Sequence, residues 1–393
     1  MTKQLFSFGT SRGGTTFFAR MMSLNSKVKM ASDPFLPIYS QIRNHVMLDF
    51  TKGTYDISVP LNDYYYSLDQ IKEKQLVENF NPSVFIPSKA KPYLKSSLYD
   101  RMGLASRELL KYVDDLLTEE NITYTDLFYK LHSVLEIAYE KEQAYVGAND
   151  NWVIEFLPLL VKIFPEAKFI VIIRDPRGAV ASSLGLKKKN PKLVPLIYSF
   201  VRHLRKHMAY AIEYINNPIY SEKVKVIRYE DLCLNPENEL REVCDFLGIG
   251  FNSIMLETEK FRPIVGDKWV KYSNFNVPEQ GIYTQSIDGW KVRLSNEVIE
   301  LVEFLCSPEM NYFNYNTTLY GNGFLSEDAF GFVLQDNKEA IGWRNLYDNI
   351  HAELSNDLFR HQLLKFNPEQ VDKVLAEKYF IFRSVEKALR TYT

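Results

Sequence analysis

The sequence predicts an α/β fold, a three-layer α/β/α arrangement of the P-loop kind around a central, mainly parallel sheet. Three observations predict it. Short apolar runs rich in β-branched and aromatic residues alternate with helical stretches along much of the chain. The first run leads into Gly9-Thr10-Ser11-Arg12-Gly13-Gly14-Thr15-Thr16, with Gly9 and Gly14 spaced as in a phosphate-binding loop. A later run, residues 168–173, ends at Arg174 in a basic turn that opens a helix of small residues.

The elements follow in order. Residues 4–8 form a buried strand, and 15–23 form a helix whose free N–H groups face the glycine loop. Residues 27–31 form a second strand that ends at Ser32-Asp33-Pro34. From about 35 to 145 the simple alternation stops. Tyrosines cluster at Tyr64, Tyr65 and Tyr66, and Pro60, Pro82, Pro87 and Pro92 interrupt the pattern. Helical periodicity returns between 106 and 139, where Leu109, Leu110, Val113, Leu116 and Leu117 share a face. Such a segment inside an α/β core is expected to be a large, mostly helical insertion that covers or shapes the ligand site. After Tyr145 the rhythm resumes with a helix over 156–164 stopped by Pro165, the strand 168–173, and helices over 178–184 and 193–215. A strand over 224–227 and a helix over 237–247, closed by Gly248, complete it. Residues 1–320 are therefore expected to form one domain, with the insertion at about 35–145, and residues 321–393 a helical C-terminal extension. In that extension Leu354, Leu358, His361, Leu364 and Phe366 are expected on one helical face, packed on the core or on a second copy, which would make a homo-oligomer.

Composition narrows the function classes. A net charge of −2 gives no global attraction to nucleic acid or anionic membrane, so anion recognition must be local. Cys233, Cys244 and Cys306 lie far apart, which predicts neither a disulfide framework nor a zinc site. No apolar run is long enough for a membrane span, and no signal-type leader is present, so a cytoplasmic protein is expected.

The two anion signatures carry the chemistry. A Walker A loop places lysine after its last glycine; here Thr15 stands there, and the cation comes earlier, as Arg12. That loss argues against ordinary ATP or GTP hydrolysis while keeping the phosphate cradle. In the second signature, Arg174-Asp175-Pro176-Arg177-Gly178 leads to Ser182; an arginine fork and a hydroxyl suit a phosphate. Taken alone, it fits an Arg–Asp pair capping a helix equally well. Together the two suggest a nucleotide phosphorylated at two ends.

In these motifs the chain resembles the sulfotransferases that use 3′-phosphoadenosine-5′-phosphosulfate (PAPS). Arg12-Gly13-Gly14-Thr15-Thr16 is similar to their loop for the 5′-phosphosulfate, and Arg174 with Ser182 eight positions later is similar to their 3′-phosphate pair. Leu157-Pro158 through Ile170, Tyr229-Glu230-Asp231-Leu232 through Phe246-Leu247-Gly248, and Gly289-Trp290-Lys291 match further blocks in order. The resemblance, spanning about residues 4–315, implies transfer of a sulfuryl group from PAPS to a hydroxyl or amine by in-line attack, with 3′-phosphoadenosine-5′-phosphate (PAP) as product and no metal. It implies Arg12 and Asp33 as catalytic residues, Arg12 acting electrostatically and Asp33 as the carboxylate base. Arg12, Gly13, Gly14, Thr15, Thr16, Arg174, Ser182, Tyr229, Lys291 and Arg293 are the implied nucleotide-binding set. The acceptor is expected to be a small molecule, carbohydrate or lipid.

Several alternatives stay open at this point. Asp33 also fits a turn cap before Pro34, and Asp150, His45 and His132 are other candidate bases. Asn149 stands where many relatives carry a lysine that approaches the sulfate, so either another cation, such as one from the insertion, supplies that charge or catalysis is weaker. Trp152 and Trp290 fit either ligand stacking or core packing. Competing functions are a nucleotide or small-molecule kinase with a degenerate P-loop, and a non-catalytic nucleotide-binding protein.

Overall fold

A computed structural model of the chain describes residues 2–58, 61, 68–138, 143–189, 197–257, 260, 282, 284–321, 323–334 and 350–392. Pro60, the Tyr64–Tyr66 cluster and the first turn expected for the helix over 193–215 lie outside the described residues. Five strands form one sheet: β1 (Lys3–Gly9), β2 (Val28–Ser32), β3 (Tyr145–Asn151), β4 (Lys168–Ile173) and β5 (Val224–Arg228). All pairs are parallel, in the order β2-β3-β1-β4-β5. From β1 the chain winds first to β2 and later crosses to β4 on the other side. The loop after β1 therefore lies at the reversal of winding, where open α/β sheets bind ligands.

Sixteen α-helices lie among the described residues. The first six are α1 (Thr15–Leu24), α2 (Leu36–Phe50), α3 (Leu68–Glu78), α4 (Lys91–Ala105), α5 (Val113–Leu116) and α6 (Tyr124–Ala138). After β3 come α7 (Leu157–Ile163), α8 (Pro176–Lys189), α9 (Ile197–Asn216), α10 (Tyr229–Leu234) and α11 (Pro236–Leu247). The last five are α12 (Asn296–Tyr312), α13 (Glu327–Leu334), α14 (Ile350–Lys365), α15 (Lys373–Phe380) and α16 (Arg383–Arg390).

Strand residues alternate between two cores, as the period-2 geometry of a buried sheet requires. Leu5, Tyr145, Ile170, Ile172 and Ile227 face Phe18 and Met22 of α1 and Leu240, Val243 and Leu247 of α11. Phe6, Phe8, Val146, Phe169 and Val171 face the larger core, with Ile38 and Ile42 of α2, Leu127 and Leu131 of α6, Val201 of α9 and Leu301 of α12. Helices thus cover both faces, and the three-layer α/β/α fold is the one the sequence predicts.

The strand β3 has no counterpart among the sequence expectations. Its Gly147-Ala148-Asn149-Asp150-Asn151 stretch lacks the β-branched residues that mark strands, yet it pairs along its whole length with β1. The periodicity over 106–139 is also broken: a 3-10 stretch (Arg107–Tyr112) and the one-turn α5 precede a separate α6. Thr123 and Asp126 bond reciprocally at the start of α6, a capping arrangement that begins a new helix. In α14, Leu354 and Leu364 are buried, and His361 is bonded to the Phe304 carbonyl of α12 at 2.7 Å. Phe366 lies past the helix end and is exposed. Buried ion pairs join Glu353 to Arg202, Asp357 to Arg205 and Arg360 to Glu309, tying α14 to α9 and α12. No helix among the described residues is long and apolar enough to cross a membrane.

Candidate active site

Each strand brings a candidate site residue to the same edge of the sheet. Arg12 lies in the loop after β1, Asp33 directly follows β2, and Asn151 ends β3. Arg174 directly follows β4, and Tyr229 directly follows β5. Three of these strand ends carry non-glycine residues in the left-handed region: Arg12 at φ 66°, Asp33 at φ 56° and Trp152 at φ 75°. Each costs about 1–2 kcal/mol relative to ordinary backbone, and such strain concentrates at working sites.

The glycine loop is built for close approach. Gly14 has φ 91° and precedes α1, so its conformation suits glycine alone. A Cβ there would stand 2.1 Å from Cδ2 of Tyr229, so the absent side chain is what lets the loop lie on the tyrosine ring. At Gly9 a Cβ would meet Cγ2 of Thr15 at 2.0 Å, which holds the end of β1 against the start of α1. The Thr15 hydroxyl donates to Oδ1 of Asn151 at 3.1 Å, and Thr16 follows it in the first turn of α1.

The two anion signatures, some 170 residues apart, meet here. Nε of Arg12 donates to the Ser182 hydroxyl at 2.9 Å, and Nη1 of Arg174 donates to the Arg12 carbonyl at 2.7 Å. Nη2 of Arg174 reaches the Ser286 carbonyl at 3.2 Å, while its guanidinium lies 4.3 Å over the Tyr229 ring. The Tyr229 and Ser286 hydroxyls bond at 2.8 Å. Burial first, then the charge of Arg174, pushes Arg12 down to about 10, so it stays cationic at neutral pH. Burial and Arg174 likewise push Arg293 down, which places a third cation within reach of their field. The buried Nε of Arg174 has no hydrogen-bond partner among the described residues. Clustered guanidinium groups, an unused donor and a glycine cradle form a donor set suited to phosphate.

Helix capping by this signature falls to other residues than Arg174. Asp175 accepts from the Arg177 amide at 2.8 Å, and Arg177 pairs with Asp175 and Glu303, both at 2.6 Å. Arg177 also stacks at 4.0 Å on Trp290, which is buried, so that indole is used in packing. Lys291 pairs with Asp288 at 2.8 Å in the same short segment and is exposed.

Asp33 is held from several sides. Its amide donates to the Asn149 carbonyl at 2.6 Å, and its carboxylate accepts from the Asn151 amide at 3.0 Å. The Asn151 side chain donates to the same carboxylate at 3.3 Å while accepting from Thr15, so it links the glycine loop to Asp33. Arg101 of α4 pairs with Oδ2 of Asp33 at 2.6 Å. The turn-capping task goes instead to Asp150, whose Oδ1 accepts from the Phe35 amide at 2.9 Å. Complete burial, and secondarily the charge of Asp33, pushes Asp150 up to about 8.

Other candidates lie in different surroundings. Asn149 is buried and accepts from Ser7 at 3.0 Å. His45 bonds Tyr124 at 3.0 Å and sits 3.4 Å from Asp49 within α2, while His132 of α6 packs on Phe164. Trp152, half-buried, stacks against His203 with centroids 4.0 Å apart. Sequence reasoning missed Arg101, Asn151 and Ser286. Arg101 lies 68 residues from its partner, and no local pattern could have joined them.

The chain is similar to known sulfotransferases. A profile described as "Sulfotransferase family" matches residues 4–253. The chain is 32% identical over 118 residues to protein-tyrosine sulfotransferase 1 of Danio rerio, covering 30% of this chain and 32% of that protein. It is 26% identical over 179 residues to carbohydrate sulfotransferase 3 of Tetronarce californica, covering 41% and 39%. The chain thus spans well under two thirds of either relative. Among solved structures, the sulfotransferase domain from the curacin biosynthetic pathway aligns at TM-score 0.47 and 16% identity, covering 81% of this chain and 99% of that one. Retinol dehydratase in complex with retinol and PAP aligns at 0.34 and 14%, covering 78% and 81%. With its glycine loop, its paired arginines and a profile match over most of its length, the chain belongs to the sulfotransferase family.

Proposed function

We propose that the protein transfers a sulfuryl group from PAPS to a hydroxyl or amine of an acceptor. The observation that carries this is the meeting of Arg12, Arg174 and Ser182 above the glycine loop, with Tyr229 beneath. A nucleotide with phosphates at both the 3′ and 5′ positions needs two anion sites, and this cluster offers both within one network. Arg174 and Ser182 would hold the 3′-phosphate, with Arg293 adding positive field. Gly13, Gly14, Thr15 and Thr16 would present backbone and hydroxyl donors to the 5′ end.

The donor supplies an activated sulfuryl group whose departure leaves charge on a phosphate oxygen. Arg12, cationic at neutral pH, would stabilise that charge and cannot itself deliver a proton. Asp33 would accept the acceptor's proton, its carboxylate oriented by Asn151 and Arg101. Asp150, pushed up to about 8 and committed to capping α2, suits that role less.

Isothermal calorimetry with PAP and with ATP tests the donor site: PAP is expected to bind tightly and ATP at least tenfold more weakly. Equal affinities, or Mg²⁺-dependent ATP turnover, would overturn the reading. Radiolabelled PAPS offered with phenols, sugars and aliphatic alcohols then identifies the acceptor class. Asp33→Asn and Arg12→Ala are each expected to lower the transfer rate by about 10²-fold or more.

A further inference from the structure

The inserted segment touches the reaction centre through the C-terminal part of α4. Leu94, Leu98 and Met102 anchor this helix in the core. From it Arg101 makes two contacts to a single residue: Nε donates to the Asp33 carbonyl at 2.9 Å, and Nη2 pairs with Oδ2 at 2.6 Å. Just past the helix end, Ser106 is fully buried and grips the preceding residue from both directions. Its hydroxyl donates to the Ser32 carbonyl at 2.7 Å and accepts from the Ser32 amide at 3.1 Å. The two residues of α4 and its end therefore satisfy the backbone on both sides of the left-handed turn at Asp33.

We propose that Arg101, backed by Ser106, is the positioning residue of the reaction: it holds Asp33 in its left-handed conformation and aims the carboxylate, so the inserted segment sets the geometry of the base. This rests on the reading of Asp33 as the base. The physical argument is that a strained residue persists only where its surroundings over-determine it. The strand-side contacts from Asn149 and Asn151 hold the amide and Oδ1, and the Asn151 side chain reaches Oδ2 at 3.3 Å. Arg101 comes from the other side, where the planar fork of its guanidinium holds the carbonyl and closes on Oδ2 with two donors. Arg101 from α4 is paired with Asp33, and Asp150 from β3, pushed up to about 8, faces it as a carboxyl group protonated at neutral pH. Removing Arg101 takes away the cation paired with Asp33.

The test is a double-mutant cycle on the full chain. Wild type, Arg101→Ala, Asp33→Asn and the double variant are compared in transfer from labelled PAPS to 2-naphthol. Binding of PAP, followed by calorimetry, supplies a readout that needs no acceptor. Arg101→Ala is expected to lower kcat by about 10–100-fold, as a misaimed group does, with KM for PAPS within about twofold. Arg101→Lys is expected to recover part of the lost kcat, since an ammonium replaces the charge without the fork. In the Asp33→Asn background, removing Arg101 should change the rate by less than about threefold, because coupled residues are non-additive. PAP affinity of Arg101→Ala near the wild-type value establishes that the variant is folded. An equal rate loss in both backgrounds, or a loss carried by KM with kcat unchanged, overturns the proposal. Full activity of Asp33→Asn instead overturns the assignment of the base, an outcome distinct from a failed coupling.

Discussion

Replacing Gly14 by alanine puts the loop architecture to a quantitative test. Two costs arise, and they appear in different measurements. The first is backbone strain: φ 91° forces alanine into a region that costs about 1–2 kcal/mol, which lowers stability whether or not a ligand is bound. The second is steric. The new methyl would stand 2.1 Å from Cδ2 and 2.7 Å from Cε2 of Tyr229, so the ring must move. That ring supports the Arg174 guanidinium at 4.3 Å, and its hydroxyl bonds Ser286 at 2.8 Å. Displacing it forfeits a hydrogen bond of about 1 kcal/mol and a cation–π contact of about 0.5–1 kcal/mol, and misplaces an arginine whose charge-assisted bond to phosphate is worth about 1.5–3 kcal/mol. A loss of about 2–3 kcal/mol in binding corresponds to about 30–150-fold in PAP affinity. Calorimetry reads this directly. In a Tyr229→Ala background the methyl finds room, and adding Gly14→Ala should then weaken PAP binding by less than about threefold, while the stability cost persists. If Gly14→Ala binds PAP within twofold of wild type, or costs as much affinity without the Tyr229 ring, this account of the loop is wrong.

Two further predictions concern the groups around the site. Asp150 is pushed up to about 8 in the folded state against about 3.9 in an unfolded chain. Between those values the folded protein holds a proton that the unfolded chain has released, so this group lowers stability by up to about 1.4 kcal/mol per pH unit as pH rises from about 4 to 8. Asp150→Asn keeps an acceptor for the Phe35 amide, and its stability relative to wild type should grow between pH 5 and pH 8 in urea unfolding; an equal difference at both pH values would refute the assignment. Arg177→Ala leaves Asp175 and Glu303 buried without their cation and should cost about 3–5 kcal/mol, together with a shift in the fluorescence of the stacked Trp290. A loss under about 1 kcal/mol would show that the pair is dispensable.

How far the sequence foretold this depended on whether the determinants were local. The strands at 3–9, 28–32, 168–173 and 224–228 announce themselves because buried parallel strands demand runs of apolar and β-branched residues. The glycine loop is legible because a left-handed glycine and a close approach to Thr15 and Tyr229 leave few other residues possible. Arg174 and Ser182 are legible because the end of a strand and the helix that follows it fix their spacing. By contrast, Arg101 and Ser286 join the site through bonds spanning 68 and 112 residues, and no window of sequence contains both partners.

The failure at β3 has a different cause, and it bears on how the site works. A strand in the middle of a parallel sheet ordinarily carries apolar side chains on both faces. The second half of β3 carries Asn149, Asp150 and Asn151 instead, all buried. Buried polar groups are tolerated only where they are bonded, and these have specific assignments: Asn149 meets Ser7, Asp150 caps α2, and Asn151 joins Thr15 to Asp33. The strand gives up its hydrophobic signature where it has taken on the connections between the glycine loop, Asp33 and α2. Hydropathy reads what a strand contributes to the core, so a central strand whose last turn-facing residues serve the site is invisible to it. The polarity that concealed β3 is therefore the same property that allows a rigid sheet, rather than a flexible loop, to set the distance between the cradle and Asp33.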